Sequence, residues 1–216
     1  MRSMVYITSW SARIRRFEQQ SLEGGVVAVP GERKLQILQT LAEMLQMPAA
    51  EKITTAALAA RLQVSEAALY RHFASKAQMY DGLIEFIEQS VFGMINKITA
   101  SHESGMAQAE AIVSVLLAFA EKNPGMTRVL IGDALVNEND RLQARINQVH
   151  DRIEATLRQS LRIAAAQGEI HADANIAANV LLCQVVGRWQ LFAKSGFKRL
   201  PAADFAHYWT VLSHGL

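Results

Sequence analysis

Between residues 54 and 76 the chain sets out hydroxyls, a phenol and cations at spacings that suit a phosphate backbone. Thr54 and Thr55 open one helical run and Ser65 opens the next, with Tyr70, Arg71, His72 and Lys76 following. At a helix start, Thr54 and Thr55 present hydroxyls and backbone N–H groups that have no partner inside the helix, and a phosphate accepts from both. Tyr70, Arg71, His72 and Lys76 add donors at the far end of the same unit. Ser65, Glu66, Ala67 and Ala68 form a surface of mostly small side chains that allows close approach to the floor of a groove, with methyls suited to thymine contact. On spacing alone, an ordinary helical hairpin with a tyrosine and a lysine at its edge fits these residues equally well.

No other group of residues has spacing that suits chemistry. The six histidines are scattered without metal-ligand spacing, and Cys183 is the single cysteine. Glu169, His171 and Asp173 could chelate together, but they read more naturally as a polar loop between helices. A phosphate-cradling glycine loop, a nucleophile elbow and a paired-carboxylate motif are all missing from the sequence. The expectation is a non-enzyme with no catalytic residues, no metal and no cofactor.

The elements that must position residues 54–76 are short helices with strong start signals. From Gly31 onward a 3.6-residue period places Leu35, Leu38, Leu41 and Leu45 on one face, and Pro48 ends that helix. Thr54 is the N-cap of the next helix, with Ile53 and Leu58 at the positions of a hydrophobic staple; Ser65 caps a third helix over 66–73, with Val64 and Leu69 as its staple. Ser75 caps a fourth, with Gln78 completing a capping box. Three helix starts therefore fall within about twenty-two residues, the spacing a helix-turn-helix requires, with Leu69 and Phe73 turned to its core.

Beyond this head the pattern predicts helices over 75–100, 106–122, 125–135, 138–168, 172–195 and 202–214, with a break at Asn123-Pro124-Gly125. Period-two alternation never persists, so the fold class is all-α. The helix over 75–100 carries too many apolar positions for one stripe and must touch neighbours on two sides. The chain has 216 residues, 50% hydrophobic and 19% charged, enough to bury a sizeable core. Its strongly apolar runs fall short of the roughly 20 residues of a membrane span, and a lone cysteine suits the cytoplasm. Residues 1–75 hold nine Lys and Arg against six Asp and Glu, while the remainder is close to neutral. A basic first third is compatible with a nucleic-acid-binding head. Met1–Pro30 lacks a sustained helical period and reads either as a flexible basic arm or as an artefactual upstream start. The expected organisation is an extension over 1–30, a head over 31–76 and a dimerisation and partner-binding body over 77–216.

The run Ile53-Thr54-Thr55-x-x-Leu58-Ala59-Ala60, followed by Val64-Ser65-Glu66-Ala67-Ala68-Leu69-Tyr70-Arg71-His72-Phe73-x-Ser75-Lys76, closely resembles the DNA-binding head of the TetR family. That resemblance implies a TetR-like fold and a homodimer on palindromic double-stranded DNA. The family usually has glycine where this chain has Gln63, and a left-handed backbone there would cost glutamine of order 1 kcal/mol. Further on, Ser75–Glu88, Glu121–Leu130 and Asp140–Gln159 are similar to the nucleoid-occlusion branch of the family. Membership of that branch implies a cytoplasmic, nucleoid-associated protein that blocks septum formation over unsegregated DNA. It also implies that the C-terminal tail of the division protein FtsZ sits in a groove between the fourth and fifth helices. The groove positions that map here are Phe86, Met94, Val115, Lys122 and Asn123, with Met94 where the branch has arginine.

The rival reading is a ligand-responsive TetR-type repressor, in which Phe119, Trp189, Phe192 and Phe197 line a small-molecule cavity. The same aromatics suit core and dimer seam. A cavity of several hundred Å³ reaching the fourth helix would favour the repressor, and a packed body the division regulator. The dimer is expected through the last two long helices, on a face made by Ala174, Ala177, Ala178, Leu181, Leu182, Val185 and Val186 and extended by Trp189 and Phe192.

Overall fold

The computed structural model describes residues 32–47, 53–136 and 138–216, so the readings made for Met1–Pro30 and Pro48 lie outside it. Every regular element among these residues is helical. Helix α1 (Glu32–Gln46) buries Ile37, Leu38, Leu41 and Leu45 along one face. The next three helices start where the capping residues stand. Thr54 Oγ1 accepts from the Ala57 N–H at 3.1 Å to begin α2 (Thr55–Arg61), and Ser65 Oγ accepts from Ala68 at 3.2 Å to begin α3 (Glu66–Tyr70). Ser75 Oγ accepts from Gln78 at 3.2 Å to begin α4 (Lys76–Ser101). The Gln78 carboxamide accepts from the Ala74 N–H, one residue before the group a standard capping box would use.

Helix α3 is shorter than its predicted span of 66–73. The Leu69 carbonyl accepts from both His72 and Phe73, which closes the helix at Tyr70 while leaving Leu69 and Phe73 buried as expected. The turn between α2 and α3 places Gln63 at φ 54°, in the left-handed region. Its exposed side chain makes no hydrogen bond among the described residues to offset that strain. Gln63→Gly is therefore expected to raise stability by about 1 kcal/mol, read as a higher urea midpoint at unchanged m-value. A lower midpoint would show that glutamine is favoured there.

The body consists of α4, α5 (Gly105–Lys122), α6 (Pro124–Leu130), α7 (Asp140–Ala166), α8 (Ala174–Lys194) and α9 (Phe205–Ser213). Helix α4 meets α1, α5, α6 and α7, as its broad apolar surface requires. Helices α5 and α7 cross where Gly105 admits the Ala164 backbone; a Cβ at Gly105 would lie 2.2 Å from the Ala164 nitrogen. The helix expected over 125–135 is split because Gly132 takes φ 79°, leaving α6 followed by a 3₁₀ turn over Asp133–Leu135.

Two expectations for α8 are corrected. Ala177, Ala178, Leu181, Val185, Trp189 and Phe192, read as a dimer face, are at most 2% exposed and face α5 and α7 of the same chain. The Trp189 indole N–H donates to the Leu116 carbonyl at 3.2 Å. The apolar positions left exposed on α8 are Ile176, Val180 and Leu191 on the opposite side. At 21 residues α8 is also long and apolar enough to cross a membrane by length and composition. Its inner face nevertheless belongs to the shared core, as in the central helix of a helical bundle.

Candidate nucleic-acid interface

Helices α2 and α3 hold most of the predicted contact residues on one surface. Thr54, Ser65, Glu66, Ala67, Tyr70 and Arg71 are exposed, and Thr55, Ala68 and His72 are half-buried. The Thr55 hydroxyl is already engaged: it donates to Glu66 Oε2 at 2.6 Å and accepts from the Tyr70 hydroxyl at 3.4 Å. This bridge ties the start of α2 to both ends of α3. Glu66 thus braces the two helices, where the sequence placed it on the groove floor; Ser65, Ala67 and Ala68 remain as the small-residue surface there.

Lys76 differs more from its predicted place. Read as a free phosphate contact, it instead forms an ion pair with Glu138, and its ammonium lies 5.6 Å from the centre of the Tyr80 ring. Burial, and then the Glu138 charge, push the Tyr80 phenol upward, against a smaller opposing effect of Arg128. Arg128 in α6 pairs with Asp133 at 2.6 Å and also donates to the Leu45 carbonyl at the end of α1. The head is therefore joined to the body at two polar points, Lys76–Glu138 and Leu45–Arg128. Neither partner had a local signal, because each bond spans more than sixty positions of sequence.

The residues mapped to a partner groove lie on α4 and α5. Phe86, Met94 and Val115 are half-buried and Lys122 is exposed. Asn123 donates its side-chain N–H to the Phe119 carbonyl at 2.7 Å, so part of the amide expected to meet a peptide backbone closes its own helix. A Cβ on Gly93, next to Met94, would meet nothing within 4 Å, so the α4 surface is open there.

A groove of about 640 Å³ runs between the first turns of α4 and α7, lined by Ser75, Gln78, Asp81, Asn139, Arg141 and Arg145 among others. Burial disfavours the Arg145 charge, but the hydrogen bonds it donates to the Glu88 and Asp81 carboxylates at 2.5 Å outweigh it and raise its pKa. The groove reaches the fourth helix, as a ligand-gated protein would need, yet the four aromatics expected to line such a cavity are absent from its wall. Phe119, Trp189 and Phe192 are buried in the core, and Phe197 packs edge-on against Phe192 at 5.1 Å between ring centres. Glu169 and Asp173, weighed as chelators, instead accept from the Met106 N–H and from the Asn175 and Ile176 N–H groups at the starts of α5 and α8.

Comparison with known proteins gives two family matches. Residues 37–83 match bacterial regulatory proteins of the tetR family, and residues 103–216 match the SlmA-like form of the tetracyclin repressor-like C-terminal domain. The chain is 50% identical over 184 residues to the nucleoid occlusion factor SlmA of Vibrio cholerae, covering 84% of this chain and 94% of that one. It is 49% identical over 179 residues to the protein of the same name from Alteromonas mediterranea, covering 82% and 92%. Among solved structures, the TetR-family transcriptional regulator PfmR of Thermus thermophilus superposes with a TM-score of 0.71 at 20% identity, covering 83% of this chain and 98% of that one.

Proposed function

We propose, starting from the fact that this chain belongs to the TetR family and within it to the SlmA nucleoid occlusion factors, that it is itself a nucleoid occlusion factor. The observation that carries this reading is the identity of about one residue in two with named SlmA proteins over nearly their full length. In mechanism, a dimer sets two copies of α3 into successive major grooves of a palindromic site. Thr54, Tyr70, Arg71 and His72 contact phosphates, while Ser65, Ala67 and Ala68 meet base edges. The dimer forms on the outer face of α8, where Ile176, Val180 and Leu191 are 67%, 42% and 45% exposed and Gly187 leaves room for close approach. DNA-bound dimers then take the FtsZ tail between α4 and α5, which blocks septum formation over the nucleoid. The setting is the cytoplasm at the nucleoid surface, and no step makes or breaks a covalent bond.

Tyr70→Ala is expected to weaken binding to cognate and random duplexes alike while leaving the salt slope unchanged, because a neutral phenol releases no counterion. Ala67→Gln should change site preference instead. Chromosomal mapping of the wild type should recover many dispersed sites. An unchanged affinity for Tyr70→Ala, or binding confined to one or two promoters, would speak for a different role.

A further inference from the structure

The cation at the base of the helix-turn-helix is held by the body. Lys76 is the first residue of a 26-residue helix, where the positive end of the helix dipole disfavours a cation. The location therefore does not explain a lysine through helix stability. Its ammonium is paired with Glu138, 62 residues further on and just before α7, with the Tyr80 ring beside it. The two paired side chains are 21% and 13% exposed, so the pair is sheltered but reachable from solvent. A lysine ammonium on a four-carbon stem can exchange one anion for another without moving its backbone.

We propose that Glu138 is a specificity-determining residue for DNA binding, a carboxylate that competes with backbone phosphate for Lys76. The proposal rests on the reading of α2 and α3 as a DNA-binding head. A random duplex offers Lys76 a phosphate but no compensating base contacts, so Glu138 keeps the lysine and non-specific binding loses one cation. A cognate site, where Ser65, Ala67 and Ala68 also engage, supplies the extra free energy for the exchange. Displaced from Lys76, Glu138 no longer tethers the segment that runs from the Gly132 turn through Asp133–Leu135 to the start of α7. DNA binding at the head is thereby reported to the body through the Gly132–Leu135 turn and Glu138.

The test uses the full chain and a random-sequence duplex, with affinity measured across a series of salt concentrations. Glu138→Gln should bind about five- to tenfold more tightly near 0.1 M salt and steepen the slope by about one unit, since each phosphate neutralised contributes roughly 0.9. Adding Lys76→Ala to Glu138→Gln should remove the whole gain, because removal of a distant charge would not depend on Lys76. In the wild type, a cognate duplex should speed amide exchange across residues 132–136, a result that also decides the matter should Glu138→Gln fail to fold. Equal slopes for wild type and a folded Glu138→Gln, or exchange unaltered by the duplex, would overturn the proposal and leave DNA binding standing. A wild type without salt-dependent binding to any duplex would overturn the DNA-binding reading beneath it, and the proposal with it.

Discussion

Gly125→Ala is expected to lower stability by about 2–4 kcal/mol and the melting temperature by roughly 5–15 °C, with DNA affinity falling alongside. Gly125 is the second residue of α6, and its φ is not among the left-handed ones, so the backbone itself would accept alanine. On helix propensity alone the substitution would even stabilise, by about 1 kcal/mol. The opposing effect is larger. A Cβ built on Gly125 lies 1.9 Å from the Ala42 carbonyl oxygen and 3.2 Å from the Leu45 Cβ, both on α1. The first of these is a backbone atom in mid-helix, which cannot rotate aside as a side chain can. One of two closely packed helices must move. Displacing α1 also disturbs the Leu45 carbonyl held by Arg128 and the face of Leu38 that meets α4 through Gly82. The head would then pivot on the body, and the separation of two recognition helices in a dimer depends on that joint. Thermal melts of wild type and variant, followed by titration with a palindromic duplex, check both effects. A variant that melts at or above the wild-type temperature would mean that α1 and α6 are not in contact as described.

The contrast between Gly125 and Thr54 explains what could be read from the sequence. A cap is a local bond: Thr54, Ser65 and Ser75 each accept from an N–H three residues on, so residue type and spacing sufficed to locate the starts of α2, α3 and α4. The positive φ at Gln63 has no such local mark; it is implied only by the resemblance to the TetR family, which usually has glycine there. Gly125 was read only as a helix break beside Pro124, because close approach to α1 is a tertiary fact with no local mark. Helix α8 shows a different limit. It is apolar on two faces, with Ala177, Leu181 and Val185 on one and Ile176, Val180 and Leu191 on the other. A 3.6-residue period identifies such faces without saying which one packs within the chain, so a face that belongs to the chain's own core reads from the sequence as a dimer face. Lys76 and Thr55 read from the sequence as phosphate contacts, and their partners Glu138 and Glu66 become evident only once the helices are assembled.

Phe86→Ala combined with Lys122→Glu is expected to abolish binding of the FtsZ tail, a loss of more than about a hundredfold, while leaving the dimer and its DNA site intact. The two residues act through different physics. Phe86 is half-buried on α4 and packs against the core from its edge, so an apolar side chain of a bound peptide can cover the rest of the ring. Truncating a central aromatic of this kind typically costs about 2 kcal/mol or more of binding. Lys122 is exposed in the last turn of α5, where on the proposed reading it would attract an acidic segment; glutamate there would turn attraction into repulsion and slow association. Val115 completes the apolar wall. Met94 adds apolar surface where an arginine would add charge, so this chain should lean more on apolar contact and on Lys122. Asn123, with one amide hydrogen committed to Phe119, has its carboxamide oxygen to offer a peptide N–H. Contacts this few would give weak affinity per protomer, and on the proposed reading several dimers on one stretch of DNA would be needed to hold the tail through avidity. Binding of a fluorescent tail peptide to DNA-loaded protein measures the effect. Lys122→Glu alone serves as the control that leaves core packing untouched and should itself weaken the tail several-fold. If the double variant, folded and on DNA, holds the peptide as the wild type does, the tail does not bind between α4 and α5. If the DNA-loaded wild type ignores the tail altogether, FtsZ binding itself falls and the nucleoid-occlusion mechanism goes with it.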